Sequence, residues 1–387
     1  MTEAPLVGLQ VLSLAEQYPG PFATLLLADL GADVVLVERP DGGDPSRQFG
    51  SFFSSLNRSK RSVALNLKDP AGKQALLDLC RDADVLLEGF RPGVMARLGL
   101  DHNAVAVEAP QLIYLSLSGF GQDGPQHLRP AHDISYQAVA GLLADWTGEA
   151  PGGSPSPHLG DLTSGMFAVI GILAALHRRS NTGLGGYLDL SMTDGLVSLL
   201  TAHLVPVVND LGPPTFPIEP GYGVFRTADG ARLALSVAHE DRFWAGLCQA
   251  LDLQELMALR SPQRIEERDR LAKTLGARIT EFARHDLEQR LDQHDVPYAW
   301  VNELHEVPED PQIAARGLFV ELPAENGEPE IRYVRQPLRF DGASPGPQHH
   351  APRLGEHTRQ VLAAAGYEPG TIDRLLESGA AAADSPA

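Results

Sequence analysis

Three consecutive segments near the start of the chain restrict its fold more than any other feature. LQVLSLA (Leu9–Ala15) is a short apolar run and reads as a buried strand. GPFATLLLADLG (Gly20–Gly31) has helical length and ends on a glycine suited to a helix C-terminus. DVVLVERP (Asp33–Pro40) reads as a second buried strand, closed by proline. Two apolar strands joined by a helix form a crossover unit, and a crossover of this kind builds a parallel sheet covered by helices. The alternation continues with a helix at KQALLDLCRDA and strands at DVLLEGF and LIYLSLSGFG. Residues 1–121 therefore alternate as one half of a Rossmann-like domain would, and the fold class expected is α/β.

The usual ligand of that fold is not expected. Between the first strand and helix stands EQYPGPFAT, with one glycine where a dinucleotide fingerprint needs three. Glu38, at the end of the second strand, could stand in for the acid that binds a ribose. Without the glycines, a nicotinamide or flavin cofactor is not expected. P-loop, HExxH and GxSxG patterns are absent.

Further along, SGMFAVIGILAALHRRS (Ser164–Ser180) reads as a long apolar helix, buried in a domain core or at a subunit contact. No run is expected to reach transmembrane length. GGYLDLSMTDGLVSLLTAHL gives a strand and a helix. The texture changes near Pro213, where GYGVFRTADGARLALSV carries a hairpin signal at ADG, followed by helical and charged segments. The expected organisation is a large domain over 1–212, a small α/β domain over 213–335, and a return to the large domain over 336–387. The closing AAADSPA is expected to fray.

The net charge of −19 argues against nucleic acid as a partner. Cys80 and Cys248 lie in apolar patterns without CxxC spacing, so neither a disulfide framework nor a zinc site is expected. No other ligand cluster has metal spacing, so no metal is expected. The N-terminus has no signal-peptide pattern, and a cytoplasmic location and no membrane association are expected.

Four groups of residues are chemical candidates. His132 and Asp133 follow a strand end and a Gly/Pro loop, the place where parallel sheets build sites, although Asp133 could simply cap the helix after it. Asp161 in HLGDLTSG precedes an apolar helix. It could be an N-cap, or a carboxylate kept charged by the helix terminus. Glu240 follows a strand beside His239 and Asp241, as a cap or as an acid that orients a histidine. Arg39, Arg58, Lys60, Arg61, Lys68, Arg91 and Arg97 all fall in the first quarter of an acidic chain. The strand-end pair Arg39 and Arg91 would suit a phosphate-bearing ligand.

Taken together, LLADLGADVVLVERPDGGDPSR, NRSKRSVALNLKDPAGK, DVLLEGFRPGVMARLGL, LIYLSLSGFGQDGP, GDLTSGMFAVIGILAAL and APRLGEHTRQVLAAAGY resemble the class III CoA-transferase family. That family includes carnitine and bile-acid CoA-transferases and 2-methylacyl-CoA racemase. The resemblance implies a Rossmann-like large domain plus a smaller α/β domain in an interlocked homodimer. It also implies acyl-CoA as substrate, with no cofactor beyond the coenzyme A carried by that substrate. By position, Arg39, Leu65, Asn66, Leu67, Lys68, Gly89, Phe90, Arg91, Arg97 and Asp133 would hold CoA. His132, Asp161 and Glu240 would be catalytic.

Two activities fit the resemblance. In a racemase, His132 and Asp161 would take and return the proton alpha to the thioester, with Glu240 paired to His132. In a transferase, Asp161 would attack the thioester and CoA would pass to another acid through a mixed anhydride. HDISY, Glu240 and the missing glycine-run loop favour the racemase; the LTSG after Asp161 is closer to the transferase. The sequence thus places alpha-proton chemistry first and CoA transfer second. A non-catalytic acyl-CoA-binding protein stands third.

Overall fold

The computed structural model describes residues 4–144, 157–212, 218–324 and 329–384. In chain order, the first elements are β1 (Gln10–Ser13), α1 (Pro19–Asp29), β2 (Asp33–Glu38), α2 (Ser51–Asn57), β3 (Arg61–Leu65), α3 (Pro70–Asp82) and β4 (Val85–Glu88). They continue with α4 (Val94–Leu98), α5 (His102–Glu108), β5 (Ile113–Ser118), α6 (Asp133–Ala140), α7 (Leu159–Thr182), β6 (Gly186–Ser191), α8 (Met192–Leu199) and α9 (Thr201–Val208). Next come β7 (Tyr222–Arg226), β8 (Arg232–Ser236), α10 (Asp241–Ala250), α11 (Ser261–Glu266), α12 (Arg268–Ile279), α13 (Arg284–Gln293), β9 (Tyr298–Trp300) and α14 (Pro311–Arg316). The chain closes with β10 (Phe319–Leu322), β11 (Ile331–Val334), α15 (Thr358–Ala364), α16 (Pro369–Glu377) and β12 (Ala381–Ala382).

The chain divides into two compact units, Met1–Thr201 with Gly317–Ala387, and Ala202–Arg316. In the first, a sheet runs in the order β12-β3-β2-β1-β4-β5-β6, parallel except for β12. The chain builds outward from β1 to β3, then returns to place β4 on the other side of β1. Alternating strand side chains feed two cores. Leu12, Val35, Val63 and Leu86 pack on one face with Leu76, Val361 and Ile372. Val11, Val34, Leu87 and Leu115 pack on the other with Leu27, Ala168 and Leu196.

On that second face α1 and α7 lie close together. A Cβ at Gly165 would sit 2.7 Å from Phe22 and 3.0 Å from the Pro19 carbonyl, so only glycine fits. α7 is long and apolar enough to cross a membrane by length and composition, contrary to the expectation that no run would be. In the fold its small residues Gly160, Ser164, Gly165 and Ala168 are buried, while Met166, Ile170 and Leu173 are exposed on another face.

Buried polar groups join distant segments of this unit. Arg58 donates to Asp29 at 2.6 Å and to the Val334 carbonyl at 2.8 Å. The Gln336 amide reaches the same Asp29 oxygen at 3.3 Å. The return segment is therefore tied to the first unit already at Val334, and the second unit spans 202–316 where 213–335 was expected. Lys60, buried, donates to the Pro21 carbonyl (2.9 Å), Thr24 Oγ1 (2.7 Å) and Asn57 Oδ1 (2.8 Å). At the C-terminus part of the segment expected to fray is ordered. Ala381 and Ala382 pair antiparallel with Leu65 and Ala64 of β3, and Ala380 is fully buried.

The second unit has its own antiparallel sheet, β7-β8-β9, with the predicted hairpin turning at Gly230 (φ 83°). Leu233, Leu235, Trp244, Leu247, Leu271, Leu275 and Leu287 form its core. Arg264 is fully buried there, bonded to Glu219 at 2.8 Å and Asp241 at 2.6 Å. Burying a guanidinium is tolerated because both carboxylates and two backbone carbonyls accept from it.

Candidate active site

The reversal of strand order between β1 and β4 opens a crevice at their C-terminal ends, where open parallel sheets bind ligands. A cavity of about 1100 Å³ lies there. Glu16, Gln17 and Tyr18 enter it from the loop after β1, Gly89, Phe90 and Arg91 from the loop after β4, and Ser118 and Gly119 from the end of β5. His127, Arg129, His132 and Asp133 approach it along the loop into α6, and His158 and Asp161 from the start of α7.

Asp161 is the best-defined chemical group in the cavity. It was expected just before an apolar helix. The helix begins earlier, at Leu159, with His158 as N-cap, so Asp161 stands inside the first turn. No side chain of its own segment caps this helix. The cap comes from Asp133, whose Oδ1 accepts from the amides of Gly160 (2.7 Å) and Asp161 (3.3 Å). Its Oδ2 accepts from Gln137 Nε2 at 2.6 Å. Burial and, secondly, the Asp133 charge push the Asp161 carboxyl up to about 6, with His158 opposing them. A carboxylate so placed is ionised at neutral pH yet more basic than an ordinary aspartate.

Of the predicted residues, Gly89, Phe90, Arg91, His132, Asp133 and Asp161 meet in this cavity. His132 is the exposed N-cap residue of α6 and makes no capping bond with its side chain. Asp133 was expected to contact CoA. It is buried, and both carboxylate oxygens are engaged within the protein, so its visible task is to hold α7. Leu65 and Leu67 were also expected against CoA; the Leu65 side chain, at the end of β3, lies in the core, and Leu67, in the turn that follows, packs partly buried against it. Asn66 Oδ1 accepts from the Lys68 amide at 3.2 Å, and the Lys68 side chain is exposed. Arg39 and Arg97 are exposed, and Arg39 Nε donates to the Gly43 carbonyl at 2.9 Å. Glu240 belongs to the second unit, at the N-cap of α10, with Oε2 3.9 Å from His239 Nδ1.

Glu38 does not present itself to a ribose. It is buried and bonded to Arg47 (2.7 and 2.8 Å), Ser62 (2.5 Å) and the Asp44 amide (3.0 Å). Among the described residues no group of three or more His, Cys, Asp or Glu side chains could hold a metal.

Sequence reasoning missed several cavity residues. Burial and Asp44 push the Glu16 carboxyl up to about 7, against Arg39. Gln17 has a left-handed backbone (φ 67°), stabilised because its amide donates to both Asp44 oxygens at 3.0 and 3.2 Å. Tyr18 stacks edge-on with Phe52, and its hydroxyl pKa is raised by burial and by Asp161. Glu88, which does not line the cavity, accepts from the amide of the cavity residue Phe90 at 2.8 Å and is pushed up to about 7 by burial. Their common signal was position, since all lie at the C-terminal ends of β1 and β4.

Residues 6–358 match the CoA-transferase family III. Succinyl-CoA:glutarate CoA-transferase of Mus musculus is 33% identical over 97% of this chain and 90% of its own length. Succinyl-CoA:mesaconate CoA-transferase of Haloarcula marismortui is 34% identical over 94% of this chain and 97% of its own. The crystal structure of a CaiB/BaiF family protein from Brucella suis matches with a TM-score of 0.83 at 29% identity, over 94% of this chain and 100% of that one. With a match across most of its length and relatives above 30% identity, the chain belongs to the CoA-transferase family III and is an enzyme.

Proposed function

We propose that this enzyme moves CoA from an acyl-CoA to a free carboxylic acid, with Asp161 as the covalent nucleophile. The observation that carries this reading is the Asp161 carboxyl itself: in the cavity, on the first turn of α7, and more basic than a free aspartate. Its oxygen attacks the thioester carbonyl, the C–S bond breaks, and the CoA thiolate leaves a mixed anhydride. The thiolate then attacks the aspartyl carbon and expels the donor acid, leaving CoA on Asp161 as a thioester. The acceptor carboxylate attacks that thioester, its C–S bond breaks, and the CoA thiolate leaves a second anhydride between the acceptor and Asp161. CoA thiolate attack on the acceptor carbonyl then yields the new acyl-CoA and frees Asp161.

This reverses the order in which the sequence placed the two activities. The relatives cited above are named CoA-transferases, and no observation here supports a racemase. CoA enters only as part of the substrate. Arg39, Lys68, Arg91 and Arg97, all exposed, are the residues proposed to meet its phosphates. Dicarboxylic acids are the proposed acyl class, as the relatives' names suggest. Arg129, His132, His158 and His127 line the cavity and could meet a remote carboxylate. The carbonyl of Gly124 can only accept, so His127 Nδ1 carries the proton at 2.7 Å and Nε2 is left for a ligand. The exposed apolar face of α7 supports the expected homodimer, in which a second copy would cover it.

The test is to trap the enzyme-bound thioester. After incubation with succinyl-CoA, borohydride or hydroxylamine should mark Asp161, as read by peptide mass. Asp161→Asn should lose the mark and more than about a thousandfold in kcat, while His132→Ala should only weaken transfer. Alpha-deuteration in heavy water with no transfer to any acid would sink the proposal.

A further inference from the structure

Asp133 performs more than a capping task. It opens α6, yet one oxygen of its carboxylate closes on the first turn of α7, 27 residues later in the chain. It is buried and accepts three hydrogen bonds, two of them from the amides of Gly160 and of Asp161 itself. A Cβ at Gly160 would lie 2.7 Å from Asp133 Oδ1, so the glycine is what lets the carboxylate reach the helix terminus. Gln137, one turn along α6, fixes the other oxygen and is itself buried. A charged group is thus held against the backbone of the nucleophile in a setting that screens it weakly.

We propose that Asp133 is a positioning residue for CoA transfer: it fixes the backbone of Asp161 and, through its charge, makes the Asp161 carboxylate a stronger nucleophile. The inference rests on the transferase reading given above. The groups facing Asp161 support it. Tyr18 from the loop before α1 and Tyr136 from α6 are neutral at working pH, both raised by burial. Tyr136 is also turned away, its hydroxyl donating to the Ala131 carbonyl at 2.8 Å. His158 opposes Asp133 from the N-cap of α7, and the positive end of α7 opposes it too. Arg91, Arg129, His127 and His132 line the same cavity, and Glu16 adds a carboxyl. Asp133 is the anion bonded directly to the turn that carries Asp161.

The experiment compares wild type with Asp133→Asn and Asp133→Ala. Asparagine can keep the bond from Gly160, and Gln137 can rotate its amide to accept from it, so this variant removes the charge with little change of shape. The Asp161 carboxyl is followed by carbon NMR against pH, its signal identified by its loss in Asp161→Asn. The midpoint should move to lower pH in Asp133→Asn. In Asp133→Ala, kcat for CoA transfer should fall about a hundredfold through misplacement of the nucleophile, with the melting temperature recorded to separate unfolding. An unchanged midpoint in Asp133→Asn, or a kcat within about twofold of wild type in Asp133→Ala, overturns the inference. A wild type that titrates as described but transfers no CoA overturns the functional reading alone.

Discussion

At the scale of single residues, Asp161 carries a conflict between stability and activity. Its pKa is near 3.8 unfolded and about 6 in the fold. Between those values the folded state holds a proton that the unfolded chain has released, so stability falls as pH rises through that window and is lowest above 6. Activity needs the opposite, ionised form. We therefore expect kcat/KM for transfer to fall as pH drops through about 6, measured in steady state. We expect Asp161→Asn to raise the melting temperature at pH 8 and to have no such effect at pH 3.5, as read by calorimetry. Arg129→Ala is expected to raise KM for a dicarboxylate acceptor about tenfold; an unchanged KM would remove Arg129 from the acyl pocket.

At the scale of elements, the cavity is only as firm as the contacts beneath it. Lys60 joins the start of α1 to the end of α2 through three acceptors. Methionine at this position would remove the donor to Asn57 Oδ1 and Thr24 Oγ1, while the Pro21 carbonyl keeps its bond from Thr24 Oγ1 at 3.2 Å, and Lys60→Met should destabilise the fold by roughly 3 kcal/mol in urea unfolding. Gly165 sets the approach of α1 to α7, so Gly165→Val should force the helices apart and displace both Tyr18 and Asp161. Loss of activity should there exceed loss of stability, because the site stands on the two helix starts.

At the scale of the whole molecule, the chain leaves one core to build another and then returns. The unit Ala202–Arg316 has its own sheet and its own buried cluster. A fragment of that unit should fold alone, with Trp244 giving a near-ultraviolet signal that melts cooperatively. The first unit is closed by chain from far along the sequence. The Val334 carbonyl and Gln336 amide meet the Arg58–Asp29 pair, and β12 edges β3. Ending the chain at Gly379 should therefore lower the melting temperature of the first unit, since it strips the antiparallel edge and the buried Ala380.

Local pattern determined much of this protein. The strand–helix–strand start, the hairpin at ADG and the length of the α7 region are written in apolar spacing and turn residues, because backbone preference acts over a few neighbours. Asp161 was singled out for the same reason, since an acid close to the start of an apolar helix is a local signal, and the structure puts it in the cavity. The order of the strands was not legible, and with it the crevice between β1 and β4 that gathers Glu16, Tyr18 and Arg91 around that acid. Nor was the reach of Asp133 across 27 residues to cap a helix other than its own. The resemblance put Leu65 against CoA by position alone, and only the packed fold shows that its side chain lies in the core. These features arise only when distant segments exclude water together. Burial then decides which carboxyl is charged, which is buried and bonded, and which remains available to react.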